Sequence, residues 1–167
     1  MPTVLHVGCG PDPLPTWLSG HDEVRLDINP DVQPDIVASM TDLGDIGPFD
    51  ALYCSHALEH LFPHEVAVAL SEFRRVLAPG GLAMVFVPDL EDVQPTDEPL
   101  FVSAAGPISG RDMYYGFTPF LQSNPYMAHK TGFVQATLRK AFEDAGFGRT
   151  EVVRFPDYNL FAAGLNA

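Results

Sequence analysis

Gly8-Cys9-Gly10 and Asp27 are the residues of this chain best suited by type and spacing to hold a ligand. The apolar run Thr3-Val4-Leu5-His6-Val7 leads into the two glycines, which have no Cβ and so let a ligand approach bare backbone N–H groups. Asp27 ends the next such run, Glu23-Val24-Arg25-Leu26-Asp27, where a carboxylate can accept both hydrogen bonds of a ribose diol. Together they predict a nucleotide pocket. A dinucleotide fingerprint would add a third glycine, but Pro11-Asp12-Pro13 follows Gly10. Prolines at 11, 13 and 15 forbid a long helix there, so a nicotinamide pocket is disfavoured and one turn around Thr16-Trp17-Leu18 is expected.

His56-Ala57-Leu58-Glu59-His60 matches H-x-x-E-H, a zinc-peptidase signature in which two histidines hold the metal and the glutamate activates water. The match is short, Pro63 interrupts the segment before His64, and nothing marks a further ligand, so no metal is expected. Cys9 and Cys54 each follow or end a strand-like run and read as inert buried thiols. His6 and Tyr53 sit inside such runs and read as packed core residues.

These residues need a sheet to position them. Phe49-Asp50-Ala51-Leu52-Tyr53-Cys54 reads as a strand, and Val66, Leu70, Phe73 and Val76-Leu77 fall at helical spacing before Pro79-Gly80-Gly81. Leu82 to Val87 is a continuous apolar run, as in a parallel strand buried on both faces. A second amphipathic helix is predicted from about Thr131 to Ala145, ended by Gly146. Thr150 to Phe155 and Tyr158 to Gly164 flank Pro156-Asp157 as an antiparallel hairpin. The pattern is α/β with a mostly parallel sheet.

Residues 88–130 lack periodicity but are rich in proline and aromatic side chains, among them Phe101, Tyr114, Tyr115, Phe117, Phe120 and Tyr126. They leave the carboxyl end of a central strand, where open α/β sheets bind ligands, and are expected to form a lid or substrate wall. At 167 residues the chain is one domain with this segment inserted. Its 46% hydrophobic and 19% charged residues are ordinary, but the net charge is −13 with nine Lys and Arg. Those basic residues are scattered, so nucleic acid is not an expected partner. No apolar run reaches the roughly 18 residues of a membrane span, no leader precedes the first strand, and two cysteines suit a reducing, cytoplasmic setting.

Four segments in order resemble the class I S-adenosylmethionine-dependent methyltransferases, most closely their small type-11 members. They are Val4 to Gly10, Arg25-Leu26-Asp27-Ile28, Phe49 to Leu61 with its Leu58-Glu59-His60-Leu61, and Phe73 to Gly81. The resemblance implies a Rossmann-like, mostly parallel twisted sheet with an antiparallel C-terminal hairpin. It implies S-adenosylmethionine as cofactor, with Gly8, Cys9 and Gly10 facing its amino-acid part, Asp27 taking the ribose hydroxyls and Ile28 lying against adenine. Ser39 and Met40 would border the adenine. Relatives often carry an acid at the Ser39 position, so either its hydroxyl or Asp42 would replace that group. Ser55 and His56 would lie nearest the methionine moiety and the acceptor.

In-line methyl transfer to oxygen or nitrogen of a small molecule then requires an acceptor freed of its proton, with His56, His129, Tyr114 and Tyr115 as candidate bases. The rival reading is a cofactor-binding protein of the same fold without transferase activity. Asp89, Glu91 and Asp92 read either as groups favouring a cationic acceptor or as a solvated acidic surface. Family members cover one sheet face with helices before strand one and after strands one and two, all absent or stunted here. The bare face is expected to be covered by residues 88–130 or by a second copy of the chain as a homodimer.

Overall fold

Seven strands form one sheet in the computed structural model, which describes residues 1–167. In chain order they are β1 (Thr3–Val7), β2 (Asp22–Asp27), β3 (Ile36–Val37), β4 (Phe49–Ser55), β5 (Leu77–Pro88), β8 (Thr150–Phe155) and β9 (Asn159–Leu165). The insertion contributes a separate two-stranded hairpin, β6 (Pro99–Ser103) with β7 (Gly106–Ser109). Helices are few: α1 (Pro63–Arg75), α2 (Gly110–Tyr115), α3 (Thr118–Leu121) and α4 (Gln135–Asp144).

The sheet order is β3-β2-β1-β4-β5-β9-β8. β1, β2, β3, β4 and β5 pair in parallel, whereas β9 runs antiparallel to both β5 and β8. This is the Rossmann-like sheet with an antiparallel C-terminal hairpin that the sequence predicts. The hydrogen-bonded strand β5 reaches back to Leu77 through Pro79-Gly80-Gly81, further than the apolar run alone suggests. The Gly80 N–H donates to the Asn166 carbonyl and the Asn166 N–H to the Gly81 carbonyl, so the glycines are paired rather than looped out.

α1 starts on Pro63, whose missing N–H is no loss in a first turn, and the Glu65 carboxylate accepts from the Phe62 N–H at 2.8 Å. Its Val66, Ala69, Leu70 and Phe73 face the sheet, where they join Leu5, Val7, Leu52, Cys54, Ala83, Val85 and Val87. Leu138 and Phe142 of α4 complete that core, with Leu160 and Ala162 of β9. α4 begins four residues later than its apolar pattern, because Lys130 and Thr131 donate to the Glu59 carbonyl and Leu90 donates to the Phe133 carbonyl.

The opposite face has no helix of its own. A small cluster of Val4, Leu18, Ala51, Tyr53 and Met84 lies there, sealed by Leu14 and by the single 3-10 turn Thr16–Leu18, where one turn is expected. Residues 88–130 contribute nothing to this cluster and pack at the carboxyl end of the sheet, so they do not cover the bare face. There Phe101 stacks on Tyr158 with centroids 5.9 Å apart, and the Tyr114 hydroxyl donates to the Val93 carbonyl. The hairpin and two short helices give the insertion a defined path that its sequence does not announce.

Candidate active site

The turn after β1 is shaped for close approach. Gly8 and Gly10 have φ of 64° and 51°, a left-handed conformation that disfavours side chains. A methyl at Gly8 would lie 2.6 Å from the Ala57 Cβ, so the turn presses on the segment after β4. A methyl at Gly10 would meet nothing within 4 Å, so that backbone borders open space. Arg25 fixes the turn from below, donating from Nη2 to the Gly10 carbonyl at 2.7 Å and from Nη1 to the Asp12 carbonyl at 2.8 Å. Cys9 is buried, and burial pushes its thiol pKa up, as it does that of Cys54.

Asp27 stands beside this turn at the carboxyl end of β2. Its Oδ2 accepts from the Gly10 N–H and its Oδ1 from the Asn29 N–H, both at 2.8 Å. Each oxygen keeps a lone pair for a ribose hydroxyl. Ile28 is 69% exposed next to it, an apolar plate free for a base. Met40 packs partly against the main core. Ser39 is occupied by Thr41, its Oγ lying 2.8 Å from the Thr41 hydroxyl and accepting from the Thr41 N–H, while Asp42 accepts from the Gly44 N–H. An open glycine cradle, an oriented carboxylate and an exposed apolar plate fit the nucleoside and amino-acid parts of S-adenosylmethionine.

Beyond β4 lies a cavity of about 440 Å³ lined by Trp17, Tyr53, Ser55, His56, Phe86, Phe155, Pro156 and Asn159. Its walls come from β4 and His56 after it, from β5, from the Thr16–Leu18 turn and from the end of β8 with the β8–β9 link, rather than from residues 88–130. His56 carries φ of 50°, a strained conformation for a side-chain-bearing residue, and is half exposed. Its Nδ1 lies 3.5 Å from Glu59 Oε1. Desolvation opposes the charged imidazole, but the Glu59 carboxylate and the Asn159 side chain outweigh it and raise the His56 pKa. Burial likewise opposes ionisation of Glu59, yet its histidine neighbours, His56 foremost, hold its pKa down.

The H-x-x-E-H segment is not an α-helix. Leu58–His60 makes a single 3-10 turn, which directs Glu59 inward and His60 toward the insertion. His129, at the end of the insertion, has its ring centroid 5.2 Å from that of His60 and its Nδ1 2.8 Å from the Met113 carbonyl. Its pKa is lowered by burial, against the pull of Glu59. Tyr115 lies elsewhere, 58% exposed beside Pro95 and Arg111 in a separate recess. His6 and Tyr53 are buried as expected, His6 with Nδ1 2.7 Å from Glu23 Oε1. Asp89 is also buried, and Arg154 donates from Nε to its Oδ2 at 2.6 Å, so this acid is already answered by a cation.

Sequence reasoning does not single out Glu59 as the partner of His56, nor Trp17, Phe155 and Asn159 as cavity walls. The Glu59 signal is present in Leu58-Glu59-His60-Leu61, where the zinc signature draws attention away from it. Asn159 carries no local signal, since its place follows from the register of β9 on β5.

Comparison with known proteins agrees with this geometry. The family model for the methyltransferase domain matches residues 5–85. No curated protein sequence matches the chain. A S-adenosylmethionine-dependent methyltransferase from Mesorhizobium loti superposes with a TM-score of 0.68 at 18% identity, covering 98% of this chain and 90% of that one. One from Archaeoglobus fulgidus gives 0.67 at 14% identity, covering 98% and 86%. The 1,6-didemethyltoxoflavin-N1-methyltransferase of Burkholderia thailandensis, solved with 1,6-didemethyltoxoflavin and S-adenosylhomocysteine, gives 0.62 at 16% identity, covering 98% and 70%. At such identities the likeness is one of fold. The methyltransferase-domain match over residues 5–85, the shared fold and the glycine–aspartate site together support a class I S-adenosylmethionine-dependent methyltransferase. No helix is long and apolar enough to cross a membrane.

Proposed function

We propose that this chain transfers a methyl group from S-adenosylmethionine to an oxygen or nitrogen of a small, flat acceptor, with His56 taking the acceptor's proton. The observation that carries this reading is His56 itself, held in a strained backbone conformation on the wall of an aromatic cavity with a buried carboxylate behind it. The cofactor supplies an electrophilic methyl on a positively charged sulfur. The protein then has to bind, align and deprotonate. Gly8, Cys9 and Gly10 receive the amino-acid part, Asp27 the ribose, and Ile28, Ser39 and Met40 the adenine. Ser55 and His56 line the cavity, and Trp17, Phe86 and Phe155 give it aromatic walls suited to a planar acceptor. Glu59 orients His56 and favours the imidazolium it forms. His129 and Tyr115, outside that cavity wall, act at most on an acceptor large enough to reach the insertion. The small molecule bound by the Burkholderia relative supports an acceptor of this kind.

Calorimetric titration with S-adenosylmethionine and S-adenosylhomocysteine tests the cofactor site, and turnover against a metabolite panel tests transfer. Failure of both ligands to bind refutes the proposal, and binding without turnover on any acceptor leaves the non-catalytic binder. His56→Gln should retain S-adenosylhomocysteine binding and lower kcat by about 10²–10⁴-fold, the usual worth of general base catalysis.

The same reading includes a cytoplasmic setting, in keeping with two free buried cysteines. It also includes a homodimer in which a second copy covers the helix-free face outside the acceptor cavity, where Val153 stands exposed. A monomer in analytical ultracentrifugation at all concentrations would remove the dimer.

A further inference from the structure

Glu59, His60 and His129 each offer one ligand atom, and these atoms all lie within 4.8 Å of one another. Glu59 is 2% exposed, and its Oε2 has no hydrogen-bond partner. A buried carboxylate oxygen left without a partner is costly, and a cation is one of the few groups that answers it. Each imidazole has its Nδ1 against a backbone carbonyl. His60 places Nδ1 3.2 Å from the Ala128 carbonyl, and His129 places Nδ1 2.8 Å from the Met113 carbonyl. With Nδ1–H donating to a carbonyl, the free lone pair is on Nε2, which is how metal-bound histidines are commonly oriented.

The backbone around the cluster is tied down. Lys130 and Thr131 donate to the Glu59 carbonyl at 2.8 and 3.2 Å, and the Thr131 hydroxyl donates to the Leu61 carbonyl at 2.6 Å. The candidate ligands thus come from two chain segments about 70 residues apart, joined by main-chain hydrogen bonds.

We propose that Glu59, His60 and His129 bind one divalent cation of the zinc class, which clasps the end of the 88–130 insertion to the turn after β4. Two imidazoles and one carboxylate suit a borderline cation, and magnesium or calcium would want more oxygen ligands. Bonds of about 2.0–2.2 Å in tetrahedral geometry need ligand atoms about 3.4 Å apart, so small side-chain rotations close the site and leave a fourth position for water. This set differs from the H-x-x-E-H pattern, since His56 faces the cavity and His129 takes its place.

The test uses the full chain stripped with chelator, shown to be folded by circular dichroism, and titrated with Co²⁺. A visible ligand-field band should saturate at one equivalent, vanish on addition of Zn²⁺, and accompany a higher Tm and slower proteolysis within residues 88–130. His129→Ala and the shape-preserving Glu59→Gln should each weaken Co²⁺ binding by at least about tenfold. His64→Ala, which removes an exposed histidine stacked on Phe62, should leave the band unchanged. Absence of the band in folded wild-type protein overturns the proposal, and so does a band of equal affinity in His129→Ala and Glu59→Gln. No cofactor enters this titration, so its outcome is separate from that of S-adenosylmethionine binding.

Discussion

Alanine at Gly8 and at Gly10 separates two demands that the same turn makes. Both residues are left-handed, so each substitution costs about 1–2 kcal/mol in backbone strain alone. At Gly8 the new methyl also lies 2.6 Å from the Ala57 Cβ, which adds about 1–3 kcal/mol of overpacking, for a total of about 2–5 kcal/mol. At Gly10 the methyl enters open space, so stability falls only by the strain. On the proposed function that space receives the amino-acid part of the cofactor, so S-adenosylhomocysteine affinity should fall by at least about tenfold, or 1.4 kcal/mol. Urea unfolding gives the first quantity and calorimetric titration the second. Adding Ala57→Gly to Gly8→Ala removes the clashing methyl and should return about 1–3 kcal/mol of non-additive stability. Equal stability losses at the two glycines, or no rescue by Ala57→Gly, would refute the reasoning.

Arg25→Ala removes charged hydrogen bonds to the Gly10 and Asp12 carbonyls and should cost about 1.5–3 kcal/mol, read as lower stability together with weaker S-adenosylhomocysteine binding. Asp112 accepts from the N–H and hydroxyl groups of both Ser109 and Thr118, and these bonds outweigh its desolvation and hold its pKa low. Its contribution is therefore present above the unfolded value near 3.8 and is lost as pH falls through the lower folded pKa. Asp112→Ala should cost about 0.5–2 kcal/mol at pH 7, flatten the acid limb of an unfolding series, and speed proteolysis of the insertion. Phe73→Ala empties a fully buried site between α1 and the sheet and should cost about 3–5 kcal/mol in urea unfolding.

The sheet was legible because buried strands write themselves as apolar runs. Leu82 to Val87 could be placed from its apolar run, the largely exposed Thr150 to Phe155 from the Pro156-Asp157 link that follows it, and Gly8, Gly10 and Asp27 by type and spacing. Local pattern fails where the determinant is distant. Pro79-Gly80-Gly81 reads as a helix stop, yet it stays in β5 because Asn166 supplies the pairing from the far end of the chain. The start of α4 is delayed by bonds to Glu59 and Leu90 that no periodicity contains. The insertion hides its hairpin because prolines and aromatics replace alternation, and its position at the sheet end follows from contacts such as Phe101 on Tyr158. His129 beside Glu59 and His60 is a meeting of segments 70 residues apart, which spacing along the chain does not encode.

The place of β9 between β5 and β8 dictates an order of assembly. β8 pairs with no strand but β9, and β9 finds β5 only by closing a loop that runs from Leu82 to Leu165 at its widest. Local contacts form first and distant pairings must wait on chain entropy, so this edge of the sheet is the late event in folding. β8 can gain lasting hydrogen-exchange protection only after β9 has docked, although it is made earlier in the chain.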